Sequence, residues 1–324
     1  MENIFKCPKC NSVLNVNKCN ACNYNIIKYN DILLLTEDSN SCLIGENQYI
    51  GYDHIGESYS LNNYSINEVE KCYANEIYKY CKNGILLDLG CGDGFLTIPC
   101  AKLGIDIIAG DISIKMLRLL SKKAKLNNIA LDNVELVKMN ALDIPLIDNS
   151  IDVIVSNSVL HLISNPLKVI KEIHRVLKKD GVFICFDDAP GIKENLEFDN
   201  SYYYEIVNEF YSYYWKILNS KNIYPTKLSW KYDRDKLCES LFIKEEKIID
   251  INSSTKQISF KDGVLKRIKE KGFSEQTNIK DEYHNYAFSK AFEYCNDKFG
   301  FGFEYVMYQY KENDKVVTIY KAIK

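Results

Sequence analysis

Positive charge is not in excess in this chain: 41 lysines and arginines face 44 aspartates and glutamates, a formal net charge of −3. No strong basic field can draw in nucleic acid over a distance, so any RNA or DNA contact has to come from a local patch. Long apolar runs are also missing. None reaches the ~18 residues that read as a membrane helix. The opening Met1-Glu2-Asn3-Ile4-Phe5-Lys6-Cys7 lacks the basic and apolar regions of a signal peptide. A cytoplasmic protein with no membrane partner is expected. Histidine is scarce, with four in 324 residues, and there is no internal repeat or long low-complexity tract. What is present is a globular composition, 46% apolar and 26% charged, which excludes general disorder and supports a sizeable core. The length suits two domains, or one large domain with an appendage.

Cysteine is abundant, and its distribution matters more than its count of twelve. Cys7, Cys10, Cys19 and Cys22 follow the spacing C-x2-C-x8-C-x2-C, while the other eight are scattered singly. A two-residue gap lets two thiolates of one tight turn reach the same ion, and two such turns supply a closed tetrahedral zinc site. Free thiols or a redox pair are the alternatives, and the doubled motif speaks against both. With four ligands and no open position, the zinc reads as structural. Residues 5–35 are too few to bury a core, so a metal staple is expected. The scattered thiols read as small buried apolar residues. Residues 1–37 are therefore expected to form a zinc ribbon, followed by a polar linker over Thr36–Asn47 and a second domain over 48–324.

From residue 84 the pattern alternates. Strands are expected at Ile85–Leu89, Ile105–Ala109, Val134–Val137, Ile151–Val155, Val182–Phe186 and Ile243–Ile251. Helices are expected at 66–82, 95–103, 114–126, 166–178, 261–271 and 284–298. Ser164 or Asn165 can cap the helix that Pro166 opens, and Gly181 follows it. Such alternation means a parallel sheet with helices on both faces. The end of the chain, Tyr305–Tyr310 and Val316–Ile323 around Glu312-Asn313-Asp314, reads as a β-hairpin. Residues 190–235 break the rhythm with many rings, among them Tyr203, Phe210, Tyr214, Trp215 and Trp230. They read as a helical cap whose rings mostly pack a core, with an aromatic substrate pocket as the alternative.

Asp88-Leu89-Gly90-Cys91-Gly92-Asp93-Gly94 lies between an expected strand and helix. Glycines there let the backbone approach a ligand and offer amide donors at a helix start. Asp111 ends the next strand, 19 residues after Gly92. That placement suits a carboxylate bridging two ribose hydroxyls, the bland alternative being a turn aspartate.

Residues 85–94 resemble motif I of the class I S-adenosylmethionine-dependent methyltransferases, and Asp111 matches their motif II acid. Residues 139–154, from Met139-Asn140-Ala141-Leu142-Asp143-Ile144-Pro145 onward, are similar to the "DA-x-x-LP-F-x-D-x-S-F-D" stretch of the type-11 group. Ser156-Asn157-Ser158-Val159-Leu160-His161 and Glu172…Arg175-Val176-Leu177-Lys178…Gly181 continue the likeness, which covers about residues 50–190. It implies an α/β, doubly wound, mostly parallel seven-stranded sheet of Rossmann-like type, with the zinc ribbon and the helical cap as additions. It implies S-adenosylmethionine as cofactor. Gly90, Cys91 and Gly92 would line its methionine and ribose by backbone contact. Asp88 would lie near its ammonium group, Asp111 on the ribose, Ile112 beside the adenine, and Ala141 and Leu142 at the adenine edge. Asn140 stands where the family usually has Asp; its carbonyl oxygen can still accept from the adenine amino group, without charge. Asn157 and Ser158 would face the reacting methyl.

The implied reaction is in-line attack by an acceptor atom on the sulfonium methyl, helped chiefly by positioning in a dry cavity. His161 is the candidate general base, with Asn157 beside the methyl site as the second catalytic candidate. Asp187 and Asp188 could orient a polar acceptor; His54 and Tyr59 fall in a segment that often folds over the cofactor. His174 reads as a helix-face residue, and His284 has no assignable role. A four-Cys ribbon joined to a type-11 domain also resembles ribosomal RNA guanine-N1 methyltransferases, in which the zinc module helps to recognise RNA. Their second ligand pair tends to include histidine, where this chain has Cys19 and Cys22. Residues 1–50 hold Lys6, Lys9, Lys18 and Lys28 against Glu2, Asp31, Glu37, Asp38 and Glu46, which is not a basic patch. A small-molecule acceptor is thus the first expectation. An RNA methyltransferase is the alternative, and a non-catalytic cofactor-sensing or partner-binding protein is a third reading.

Overall fold

The computed structural model describes residues 4–15, 18–36, 66–186, 198–225, 231–251, 255–271, 273, 276, 279–310 and 315–324. His54, Tyr59, Asp187, Asp188, Trp230 and most of the expected linker lie outside them. In chain order the strands and helices begin with β1 (Ile27–Tyr29), β2 (Ile32–Leu34), α1 (Glu68–Cys81), β3 (Ile85–Leu89), α2 (Thr97–Lys102) and β4 (Asp106–Asp111). There follow α3 (Ile114–Leu126), β5 (Val134–Lys138), β6 (Ile151–Ser156), α4 (Pro166–Val176), β7 (Leu177–Cys185), α5 (Ser201–Asn219) and α6 (Lys231–Leu241). The chain closes with β8 (Phe242–Ile249), β9 (Lys256–Ser259), α7 (Lys266–Lys269), α8 (Asp281–Phe299), β10 (Met307–Tyr310) and β11 (Lys315–Ala322). Two compact units result: Met1–Pro190 with Leu228–Ile251 and Asp314–Lys324, and Gly191–Lys227 with Asn252–Asn313. Among the described residues no helix is long and apolar enough to cross a membrane.

The first unit is built on a sheet of order β1-β2-β5-β4-β3-β6-β7-β11-β8. The run from β2 to β7 is parallel, and β1, β11 and β8 join antiparallel. Its central strands are apolar on both faces. Leu87, Ile108 and Ile154 enter one apolar layer, and Leu86, Ile107 and Val153 the other. Helix α4 covers the first layer through Val169, Ile170 and Ile173. Helices α1 and α3 cover the second through Ile77, Leu117 and Leu120. This is the doubly wound α/β arrangement that continuous apolar strands require. The helices start where side chains can satisfy their first amides. Asn67 and Glu70 form a reciprocal capping box on α1, Ser113 caps α3, and Asn165 caps α4 ahead of Pro166.

Three expectations change here. The sheet has nine strands among the described residues, not seven. The seven from β5 to β8 in sheet order match the expected set, and β1 and β2 from the N-terminal segment extend its edge. The reason is physical: Ile32-Leu33-Leu34 pairs in parallel with Leu136-Val137-Lys138 and covers the edge that β5 would otherwise expose. The C-terminal hairpin does not form. β10 pairs with β9, while β11 lies between β7 and β8. Val317, Thr318, Ile319 and Tyr320 are all buried, so β11 is apolar on both faces and takes an interior position. Alternation identified the strands but not their partners. Helix α4 also ends early, at Val176, and Gly181 falls inside β7.

The second unit has its own core. Tyr203, Phe210, Tyr214, Phe260 and Phe303 are buried together, and Tyr213 stacks on Tyr294 at 4.1 Å between α5 and α8. The aromatic segment 190–235 contributes α5 to this unit, whereas α6 belongs to the first. His284 is buried here between the Tyr214 hydroxyl, 2.8 Å from Nδ1, and the Lys269 carbonyl, 3.0 Å from Nε2.

Candidate cofactor and metal sites

β3, β4, β5 and β6 are parallel neighbours, so the segments after their carboxyl ends meet at one edge of the sheet. Register fixes this: Leu89 lies opposite Gly110, Asp111 opposite Lys138, and Asp88 opposite Val155. The glycine loop, Asp111, Asn140–Leu142 and Asn157–His161 all follow these ends, which is where ligands bind in open α/β sheets.

The glycine loop needs its glycines. Gly90, Gly92 and Gly94 have φ of 76°, 53° and 92°, a region side chains disfavour. A Cβ on Gly90 would collide with Val159, and one on Gly94 would come within 2.7 Å of Leu120. At Gly92 a Cβ would meet nothing within 4 Å. The loop is therefore packed at both ends and open at its middle glycine. The amides expected to face a ligand are engaged inside the fold. Gly90 and Cys91 both donate to the Gly110 carbonyl, at 2.7 and 3.0 Å. The Gly92 amide donates to Asp111 Oδ2 at 2.8 Å, and Ser113 donates to Oδ1 at 2.9 Å. Asp111 is half-buried and sets the loop's curvature as well as presenting a carboxylate. Ile112 beside it is half-buried.

Asp88 is buried beneath the loop, 2% exposed, and accepts the Thr97 hydroxyl at 2.5 Å. Burial pushes its carboxyl up to about 7; the Thr97 bonds oppose that rise and the Asp111 charge adds to it. Asn140, Ala141 and Leu142 are each nearly buried. The Asn140 side-chain oxygen already accepts the Leu142 amide at 2.8 Å, a local turn that shapes the loop. Asn157 is half-buried at the end of β6, Ser158 adopts φ 58°, and half-buried His161 sits in a single 3-10 turn, Leu160–Leu162. His174 is elsewhere: its Nε2 meets the Ile323 carbonyl at 2.8 Å and its ring meets Phe242 edge-on.

Sequence reasoning missed the supports. Lys123 of α3, 4% exposed, lies 3.3 Å from Glu70 and 3.6 Å from Asp93 of the glycine loop. Arg175 donates to the carbonyls of Ile144 and Leu146, each at 2.8 Å, while Glu172 accepts the Ile144 amide at 2.9 Å. The Asn67-x-x-Glu70 spacing was a legible capping signal; nothing near Lys123 in sequence announced its partners.

The four cysteines converge. Their Sγ atoms all lie within 4.8 Å of one another, with Cys7–Cys22 at 3.6 Å and Cys10–Cys19 at 3.4 Å. Tetrahedral zinc thiolates place sulfurs about 3.8 Å apart. Cys7 and Cys10 sit on one turn, Cys19 and Cys22 on a second turn of the same form. Asn11 and Asn23, both at φ 59°, donate back to the carbonyls of Cys7 and Cys19, each at 2.9 Å. The amides of Cys7 and Cys19 in turn donate to Ser12 and Tyr24, each at 2.8 Å. Lys9 N–H points at Cys7 Sγ, 3.4 Å away. Hydrogen bonds from Ser12 lower the pKa of the Cys10 thiol, whereas, against the Tyr24 amide, burial and the neighbouring thiols raise that of Cys22. This donor set fits one tetrahedral, thiolate-preferring ion.

Residues 87–185 match the pattern of a family described as a methyltransferase domain. The glycine loop, Asp111, Asn140–Leu142 and His161 all fall within this stretch; the four cysteines do not. The chain is 38% identical over 110 residues to the ribosomal protein L11 methyltransferase of Dictyoglomus thermophilum, covering 33% of this chain and 34% of that one. It is 34% identical over 118 residues to the demethylmenaquinone methyltransferase of Lactiplantibacillus plantarum, covering 34% and 49%. The chain thus spans a third to a half of the length of these curated relatives. The crystal structure of the YcgJ protein from Bacillus subtilis overlays with a TM-score of 0.46 at 15% identity, covering 80% of this chain and 100% of that one.

Proposed function

We propose that the protein is an S-adenosylmethionine-dependent methyltransferase acting on a small-molecule acceptor, with a structural zinc ion on Cys7, Cys10, Cys19 and Cys22. The observation that carries the reading is the gathering of the open Gly92, the Asp111 carboxylate and the Asn140–Leu142 loop at the carboxyl edge of four parallel strands. The residues fit the cofactor: Gly92 leaves room where a Cβ would intrude, and Asp111 offers the acceptor a ribose needs. Asp111 holds the ribose, Ile112, Ala141 and Leu142 line the adenine, and Gly90–Gly92 lie along the rest. When bound, the cofactor supplies an electrophilic methyl on a sulfonium. Asn157 orients the acceptor, and His161 takes its proton where the nucleophile carries one. Asp88, buried and locked to Thr97, supports the loop from beneath, near the expected ammonium end of the cofactor.

The relatives named above act on a ribosomal protein and on demethylmenaquinone, so they do not favour one acceptor class. The absence of net basic charge supports a small molecule over RNA. RNA guanine-N methylation is kept as a second reading by one feature. A cleft of about 570 Å³ is lined by Lys6, Lys9 and Asn11 of the cysteine module together with Thr36 and Asn140. The test is methyl-labelled S-adenosylmethionine added with the purified chain to a cell extract, followed by fractionation. Label in small molecules is expected; label in RNA would overturn the acceptor assignment, and label nowhere would overturn the activity.

A further inference from the structure

We propose that the four-cysteine module is a positioning element of the cofactor site, so that metal occupancy sets the affinity for S-adenosylmethionine. The inference rests on the reading of this unit as a methyltransferase. The module's two ends hold the chain on either side of Asn140–Leu142: its entry pairs with residues 145–147 and its exit with β5 up to Lys138. Entering, the chain from Ile4 to Lys6 runs antiparallel to residues 145–147. Lys6 N–H donates to the Pro145 carbonyl and Ile147 N–H to the Ile4 carbonyl, both at 2.9 Å, and Phe5 bridges Leu146. The Lys6 amine lies 3.4 Å from Asp148. Cys7 follows at once. Leaving, β2 runs in parallel register on β5, and Leu35 N–H donates to the Lys138 carbonyl at 3.1 Å, two residues before Asn140.

The same residues share a core. Cys7, Cys19, Leu14 and Leu35 are buried in one cluster with Met139, Ala141, Leu142, Ile144 and Leu146. The loop that would receive the adenine therefore has two supports: Arg175 and Glu172 on one side, and the Ile4–Lys6 strand on the other. The second support is itself held by the knuckles. Leu14 N–H donates to the Phe5 carbonyl at 2.9 Å, tying the strand to the chain between the two cysteine pairs. A segment of this size has too little apolar burial to keep its turns without the metal crosslink. Losing the ion frees the Ile4–Lys6 strand, uncovers Ile144 and Leu146, and loosens Asn140–Leu142 while Arg175 still holds the far side. The effect is weaker cofactor binding in a fold that otherwise persists.

The experiment uses the full chain, zinc-loaded, zinc-stripped by a chelator, and reloaded. S-adenosylhomocysteine affinity is measured by calorimetry, and amide exchange is followed over 139–148, with α1 as the control for folding of the first unit. Stripping is expected to weaken binding roughly tenfold, within the usual range for coupled sites, and reloading to restore it. By linkage, bound S-adenosylhomocysteine should tighten zinc retention by the same factor, which a merely local structural role would not produce. If stripping also raises exchange in α1, Phe5→Ala in the zinc-loaded chain decides. It should keep the metal, speed exchange at 144–148 and weaken binding, with Phe5→Leu restoring both. Equal affinity with and without zinc, or unchanged affinity in F5A, overturns the proposal and leaves the methyltransferase reading intact. No binding by the zinc-loaded chain overturns both.

Discussion

Replacing Lys123 with methionine should loosen the glycine loop from beneath. Lys123 and Glu70 are 4% and 3% exposed, and Asp93 is 13% exposed, so water replaces little of the lost charge. Glu70 already has its pKa raised by burial, with the Asn67 amide and Lys123 opposing that rise. Removing one partner from a buried ion pair costs about 3–5 kcal/mol. The loss should depend on pH, and the sign can be worked out. A carboxyl whose folded pKa exceeds its unfolded value stabilises the fold when protonated and loses that contribution as pH rises through the folded value. Without Lys123, Glu70 moves further up, so the K123M deficit should be small near pH 4.5 and grow toward neutrality. E70Q/K123M should recover much of it, because the more buried of the two acids is then uncharged and only the more exposed Asp93 has lost its partner. The assay is urea-dependent native-state hydrogen exchange of α3 amides in the four proteins of the cycle at pH 5 and pH 8. Wild-type stability in K123M at pH 8, or no recovery in the double variant, would refute the reasoning.

Three further outcomes are expected. Gly92→Ala should fold with a cost of about 1 kcal/mol for a side chain at positive φ yet lose S-adenosylhomocysteine binding, whereas Gly90→Ala should lower the melting temperature through its collision with Val159; thermal melts and calorimetry together separate the two. Asp111→Ala removes the acceptor of both the Gly92 and Ser113 amides and should weaken binding by about 1–3 kcal/mol, or roughly five- to 150-fold, by the same calorimetry. Burial holds the His284 pKa below 6.5, so the unfolded chain takes up a proton first; the second unit should lose stability as pH falls below about 6.5, read as faster exchange in α8 at pH 5 than at pH 8. A pH-independent α8 would show that the Tyr214–His284 contact is not maintained.

Much of the first unit was legible because its signals are local. Ile85–Leu89 and Ile151–Ser156 are short apolar runs bounded by turn residues, and Asn165-Pro166 announces α4. The convergence of the four cysteines was legible because two C-x2-C turns write their geometry in local spacing. Pairing was not legible. Ile32–Leu34 looked like the tail of a separate ribbon, yet its value to the fold is to cover the β5 edge, which depends on a strand a hundred residues on. β11 and β10 looked like one hairpin, and only burial on both faces of β11 separates them. Within the site, residue types were readable and their engagement was not. Asp111 and the glycines stood out, but the amides of Gly90 and Cys91 turn to Gly110, and the Asn140 oxygen turns to Leu142. Lys123 carries no signal at all, because a lysine on a helix is ordinarily solvated and its two acids come from distant elements.

The central claim is that the edge formed by Gly92, Asp111 and Asn140–Leu142 binds S-adenosylmethionine. Titrating S-adenosylhomocysteine into the zinc-loaded full chain in a calorimeter tests it most directly. One site per chain, weakened in Asp111→Ala by about 1–3 kcal/mol without loss of fold, is the predicted result. No heat from the wild-type chain across the titration, in a protein that is folded and carries its metal, would contradict the account.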